Sequence, residues 1–134
     1  MIFPFLKNRT KEFDEDLKDL GKLVYTDGAW RGSRKIRTYT FADGKVKRVT
    51  EHHIGAKDEG TSVSFPYTKD EFLEGLREFK IGAWKETYND PRARDGWFWE
   101  LKFEYAGEKN HRIFSGSNAC PKNYKEVKAF LEKE

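Results

Sequence analysis

The side chains in this 134-residue chain that could do chemistry are few: one cysteine, three histidines, two glutamates on one strand face, a Gly-Ser-Asn run, and a dense set of cations. Cys120 sits beside Pro121 near the expected start of a helix, where amide dipoles lower a thiol pKa and make a nucleophile. A cysteine enzyme also needs a base, and His52, His53 and His111 are all remote in sequence, so a small cysteine packed under the helix is the competing reading. The histidines make no metal motif. His52 and His53 are adjacent and point to opposite faces of a strand, and no C-x-x-C or H-x-x-x-H spacing exists, so neither metal nor cofactor is expected. Glu100 and Glu104 share a face but stand about 13 Å apart at ~3.3 Å per residue, beyond the ~6.5 to 9.5 Å of an inverting glycosidase pair. With Lys102 between them they read as a solvated face of alternating charge. Gly116-Ser117-Asn118 offers successive amides as an anion nest, yet lacks the G-x-x-x-x-G-K-S/T phosphate-loop pattern and is also an ordinary way to turn a chain into a helix. Ser117, Asn118 and Cys120 therefore stand as minor candidates.

The main candidate is a charge feature. Between residues 31 and 48, Arg31, Arg34, Lys35, Arg37, Lys45, Lys47 and Arg48 face the lone acid Asp43, giving +6 in a chain whose net charge is +3. The remainder sums to −3, so charge is segregated along the chain. Trp30, Tyr39 and Phe41 are interleaved with these cations and could stack on bases or on a partner's side chains while the cations meet phosphates or carboxylates. The plainer explanation is a solvated edge hairpin whose cations discourage strand-to-strand aggregation. Trp30, Arg31, Arg34, Arg37, Lys47 and Arg48 are the candidate binding residues.

These residues need elements to hold them. Arg34 to Phe41 and Lys45 to His52 flank Ala42-Asp43-Gly44, and Asp-Gly is a preferred type I′ pair for a two-residue hairpin loop. That register sets Phe41 opposite Val46 and Tyr39 opposite Arg48. Trp97, Trp99, Leu101, Phe103 and Tyr105 alternate strictly with polar or outward positions, the strongest pattern in the chain, and open a second hairpin through Gly107-Glu108 that pairs Leu101 with Phe114, Trp99 with Gly116 and Glu104 with His111. Two shorter strands are expected at Lys22 to Thr26, broken by Asp27-Gly28, and at Gly60 to Tyr67. Phe13, Leu17 and Leu20 predict a helix from Thr10 to Leu20. Thr68-Lys69-Asp70-Glu71 is a capping box for a second, with Tyr67 and Phe72 in the staple positions, Phe72, Leu73, Leu76 and Phe79 as its buried stripe, and Gly82 after its end. A third runs from Pro121 or Asn123 to about Lys133, with Asn123 as a capping residue. The expected fold is α+β, a single domain over residues 1–134: an antiparallel sheet of about four to six strands, including two hairpins, covered by two or three helices.

Composition bounds the function. Hydrophobic residues are only 37%, but 16% of the chain is aromatic, so the core rests on a few large rings, each removing ~150 to 250 Å² from water. A single cysteine rules out an internal disulfide framework and suits a reducing, cytoplasmic setting. The apolar start Ile2-Phe3-Pro4-Phe5-Leu6 is too short for a secretory signal and is expected to be an extra edge strand or core segment, or else an arm onto a second copy. No stretch approaches the ~18 apolar residues of a membrane span.

The capped helix, Trp84-Lys85-x-x-Tyr88, Asp95-Gly96-x-x-Trp99-x-Leu101 and Gly116-Ser117-Asn118-x-x-Pro121-x-Asn123 together resemble a group of small uncharacterised bacterial proteins, over about Thr68 to Leu131. The resemblance implies no activity, and this chain has Cys120 where that pattern has an aromatic. With no catalytic spacing and strong charge segregation, the expected function is a small non-enzymatic binding or regulatory module. It would act on an acidic protein partner as an inhibitor or immunity-like protein of a bacterial or mobile-element system. The alternatives are a nucleic-acid-binding protein and a cysteine-dependent enzyme.

Overall fold

The computed structural model describes residues 4–29, 32–54, 57–92 and 96–134. Among these, three helices, α1 (Pro4–Asp16), α2 (Lys69–Glu78) and α3 (Tyr124–Leu131), accompany seven strands: β1 (Leu20–Ala29), β2 (Arg34–Ala42), β3 (Lys45–Ile54), β4 (Lys57–Thr68), β5 (Thr87–Asn89), β6 (Trp97–Tyr105) and β7 (Arg112–Ser117). The strands form one sheet in the order β4-β3-β2-β1-β6-β7-β5. The α+β class is as expected, but the sheet has more strands than the expected four to six and is mixed, because β5 joins β7 in parallel. β5 is three residues long, too short to leave a period-2 signal, and is fixed by backbone bonds from Ser115 N–H to Glu86 O at 2.9 Å and from Asp90 N–H to Ser117 O at 3.0 Å.

Both hairpins take the registers their sequences dictate. Asp43 and Gly44 have φ of 52° and 73°, the paired positive angles of a type I′ turn, and set Phe41 opposite Val46 and Tyr39 opposite Arg48. Leu101 pairs with Phe114 and Trp99 with Gly116. Gly107 has a positive φ, but residues 106–111 lie outside the ladder; His111 nevertheless approaches Glu104 to 3.9 Å. β1 differs from expectation: Asp27-Gly28 does not break it, since β2 and β6 flank the strand on both sides through Gly28. A strand paired twice overrides the local turn preference of two residues.

The N-terminal segment is helical from Pro4, in place of the expected strand, and Ile2 and Phe3 lie outside the described residues. Phe13, Leu17 and Leu20 are all buried, but not on one helix: α1 stops at Asp16, Leu17 sits in a 3₁₀ turn, and Leu20 opens β1. The Phe13 ring packs edge-on against Phe103 at 5.0 Å and Phe114 at 6.0 Å. α2 starts on the full capping box, with Thr68 Oγ1 accepting from Glu71 N–H at 3.2 Å and Thr68 N–H donating to the Glu71 carboxylate at 3.0 Å. Lys80, with φ 55°, takes the left-handed position after α2; Gly82 lies in the 3₁₀ turn beyond it, with Thr10 and Phe13 of α1 pressed against it.

Phe130 of α3 occupies the space the staple residues would close, stacked on Tyr67 at 5.1 Å and on Phe72 at 5.6 Å. This accounts for glycine inside α2: a Cβ at Gly75 would stand 2.4 Å from the Phe130 ring. Likewise a Cβ at Gly116 would meet Trp99 Nε1 at 2.1 Å, where the indole N–H donates to Ala119 O.

Leu23, Tyr25, Tyr39, Val46, Phe65, Trp99, Leu101, Phe103 and Phe114 all lie on the sheet face that the helices cover. Alternate residues form the opposite face, on which no helix packs among the described residues. Register aligns Val49, Thr38, Val24, Lys102 and Ile113 into one row across it, and Ile113 is 47% exposed. An antiparallel sheet tolerates this one-sided arrangement.

Gly75→Ala and Gly116→Ala are each expected to destabilise by ~1 to 3 kcal/mol through overpacking, the first despite the roughly 1 kcal/mol by which alanine is preferred in a helix. Urea denaturation checks both; a neutral or stabilising Gly75→Ala would mean that Phe130 moves aside freely.

Candidate functional site

Alternation along β1 puts Leu23, Tyr25 and Asp27 on the covered face, and the ladder sets Tyr25 beside Arg37 and Asp27 beside Lys35. Arg37, only 2% exposed, lies over the Tyr25 ring at 4.3 Å and donates from Nη1 to Asp27 Oδ1 at 2.8 Å. The second oxygen of Asp27 accepts from Lys128 Nζ of α3 at 2.8 Å. Arg37 Nη2 donates to the carboxylate of Glu132, the residue after α3, and Lys35 Nζ stands 3.8 Å from the same carboxylate. Burial alone would push the Asp27 carboxyl up, but the bonds and charges of Lys128 and Arg37 outweigh it and hold the group below its ordinary value. Burial likewise opposes charge on Arg37, and Asp27 with Glu132 more than restores it. The Tyr25 hydroxyl, buried and 2.5 Å from that of Tyr124, is held well above its ordinary pKa and stays protonated.

One strand over, Arg48 is 7% exposed and does a different job. Its Nη1 donates to Leu131 O at 3.0 Å and Lys133 O at 2.9 Å, and Tyr39 Oη donates to Leu131 O at 2.6 Å. These bonds satisfy carbonyls that the end of α3 leaves open, and the cation suits the negative end of the helix. No carboxylate lies within ion-pair distance of Arg48 among the described residues, and the Nε atoms of Arg37 and Arg48 are both buried without a hydrogen-bond partner. Two adjoining grooves open over this floor. One, of about 210 Å³, is lined by Lys35, Arg37, Arg48, Thr50, His52, Glu132 and Glu134; the other, of about 410 Å³, shares Lys35, Arg37, His52 and Glu132 and adds Asp27, Arg34 and Lys128.

The structure therefore divides the residues singled out in the sequence. Arg37 and Arg48 are floor groups rather than surface contacts. Arg34 is exposed at the start of β2 and borders the outer groove, whereas Lys47 alternates onto the uncovered face; Trp30 and Arg31 lie outside the described residues. His52 lines the grooves and His53 lies on the other side of the sheet, as adjacency requires. Asp27, Lys128 and Glu132 were not signalled by any motif. Asp27 was readable only from strand parity, once β1 is continued past Gly28.

The minor candidates are engaged in structure. Asn118, with φ 59°, donates its N–H to Trp97 O and accepts from Trp97 N–H with its side-chain oxygen, both at 2.9 Å, so the Gly-Ser-Asn run fastens the end of β7 to the start of β6. Cys120 is exposed as a residue, and partial desolvation of its thiol by the surrounding atoms raises the pKa, opposite to the shift an activated nucleophile needs. Asn123 precedes α3 but does not cap it with its side chain; it accepts from Trp84 Nε1 at 2.9 Å and donates to Phe79 O at 2.7 Å, joining the α2 exit to α3.

A second cleft of about 410 Å³ lies between α1 and β7, lined by Arg9, Glu12, Glu86, His111 and Arg112 among others. Its arginines are committed: Arg9 donates to Trp84 O and Arg112 to Asp16, each at 2.8 Å. Among the described residues no group of three acidic, histidine or cysteine side chains could hold a metal, and no helix is long and apolar enough to cross a membrane. No protein-family model, curated protein or solved structure matches the chain.

Asp27→Asn leaves Arg37 and Lys128 without their shared carboxylate and is expected to cost ~3 kcal/mol at pH 7. Because the folded carboxyl titrates below its ordinary 3.8, this stabilisation is complete above that value and is lost as pH falls through the lower folded value. Urea denaturation at pH 7 and pH 3 should show the gap between wild type and variant closing in acid.

Proposed function

We propose that the protein is a small non-enzymatic binding module that engages an acidic protein partner through the β2–β3 hairpin, as an inhibitor or immunity-like protein does. One observation carries this. Of the cations concentrated between residues 31 and 48, Arg37 and Arg48 are consumed internally, but Arg34, Lys45 and Lys47 are exposed and make no ion pair among the described residues. Unpaired surface cations in a region of +6 steer an oppositely charged partner and raise its association rate. Residence in the cytoplasm belongs to the same proposal, and the lone free Cys120 suits it.

Affinity capture from the source organism, at low salt, compares wild type with Arg34→Glu/Lys47→Glu. Neither side chain is buried, so the melting temperature should stay within about a degree or two, in line with the ±0.5 kcal/mol of ordinary surface substitutions. The proposal expects a partner that wild type retains and the double variant loses; equal recovery by both proteins, or none by either, sinks it. A polynucleotide that shifts with wild type and releases steeply with salt would move the function to nucleic-acid binding.

A further inference from the structure

Resting on the binding-module reading, the groove over Arg37 and Arg48 identifies what the partner must present. The carboxylate of Glu132 lies against two cations from β2, Arg37 below and Lys35 beside it, and remains 30% exposed at the mouth of the groove. It comes from the first residue beyond α3, not from an element with its own place in the sheet. The cationic site that holds it would survive without it, since Arg37 is fixed independently by Asp27 at 2.8 Å and by the Tyr25 ring at 4.3 Å. The floor is also incompletely satisfied. Arg37 and Arg48 are both more than nine-tenths buried and both border the groove, and each keeps a buried Nε–H without a partner, so the floor holds more positive charge than its own acceptors match. Arg48 has no carboxylate within ion-pair distance among the described residues; two carbonyls and the Phe65 ring, 5.1 Å from its guanidinium carbon, hold it instead, so its charge is offset only by neutral groups. Around the two grooves Arg34, Lys35, Arg37, Arg48 and Lys128 outnumber Asp27, Glu132 and Glu134.

We propose that this groove is a carboxylate-binding site, that Glu132 occupies it as an internal stand-in, and that the acidic partner docks by placing an Asp or Glu side chain where the Glu132 carboxylate lies. Exchange of one carboxylate for another keeps the charge-assisted bond to Arg37 and the ion pair with Lys35, so the cost of opening the site is small. A longer acidic segment would continue toward Arg48 and His52 on one side and Arg34 on the other, along the direction in which the two grooves join. Glu132 thereby sets a threshold: a partner must offer more than one carboxylate to displace it.

The test uses a fluorescein-labelled hexaglutamate peptide and the full chain, read by anisotropy at low salt. Glu132→Gln removes the competing charge and should bind the peptide at least ten-fold more tightly than wild type, and adding Lys35→Ala should cancel the gain. In the same variant, titration with sodium acetate should shift the Arg37 and Arg48 Nε–H resonances saturably, and sodium chloride at equal ionic strength should not. Glu132→Ala serves as a second variant if the amide disturbs folding. If Glu132→Gln binds no more tightly than wild type while Arg34→Glu/Lys47→Glu still abolishes partner capture, the groove assignment falls and the binding module stands. Undiminished partner capture by Arg34→Glu/Lys47→Glu, together with no peptide binding by wild type or Glu132→Gln, overturns both.

Discussion

The seating of α3 across the middle of the sheet is the contact on which the other parts depend, because it closes the core from both ends. At its start the Tyr124 ring meets Trp99 at 5.0 Å and its hydroxyl reaches Tyr25. In its last turn, Phe130 is clasped between Tyr67 and Phe72, which joins the beginning of α2 to the sheet edge. At its end three carbonyl bonds from Tyr39 and Arg48, and the ion pairs of Lys128 and Glu132, fasten it to β1, β2 and β3. Aromatic pairs of this kind are worth about 0.5 to 1.5 kcal/mol each beyond the area they bury. A chain with few aliphatic residues gains its cohesion in this way, and glycine at 75 and 116 follows from the room the rings require.

One consequence is that sequence charge and surface charge are different quantities here. The segment from 31 to 48 carries +6, yet alternation sends Arg37 and Arg48 to the covered face and Lys47 to the uncovered one. A buried Arg–Asp pair is not a strong source of net stability, since desolvation of both ions offsets their attraction, and an apolar pair of the same volume would serve as well or better. What Arg37 does supply is position. It fixes Asp27, Lys128 and Glu132 relative to one another, and so determines where the end of α3 lies on the sheet.

Much of the architecture was legible because it rested on local rules. The Asp43-Gly44 turn set one register, the alternation from Trp97 to Tyr105 set another, and Thr68 with Glu71 started α2, all as their chemistry requires. What was not legible required knowledge of neighbours. Asp27-Gly28 looks like a turn until β2 and β6 are both in place beside it; Phe13, Leu17 and Leu20 share a helical spacing although the chain changes direction between them; β5 exists only because β7 offers an edge. The candidate site suffered most. Its anionic half comes from Asp27 and Glu132, about a hundred residues apart in the chain, while the sequence displayed only the cationic half.

That separation bears on how a basic segment should be interpreted. Seven cations in eighteen residues invite the inference of a solvent-facing patch, but in a two-faced hairpin at most one face looks outward, and the inward cations must find acceptors within the fold. Arg48 finds carbonyls at a helix end and Arg37 finds two carboxylates, one deep and one at the surface. The two carboxylates are not equivalent. Asp27 is held by a strand paired on both sides and by Lys128, whereas Glu132 follows the last helical residue and is reached by solvent. A cation shared between an inner and an outer acceptor therefore ties strand to helix end at a point where one of its two carboxylate bonds stays within reach of solvent.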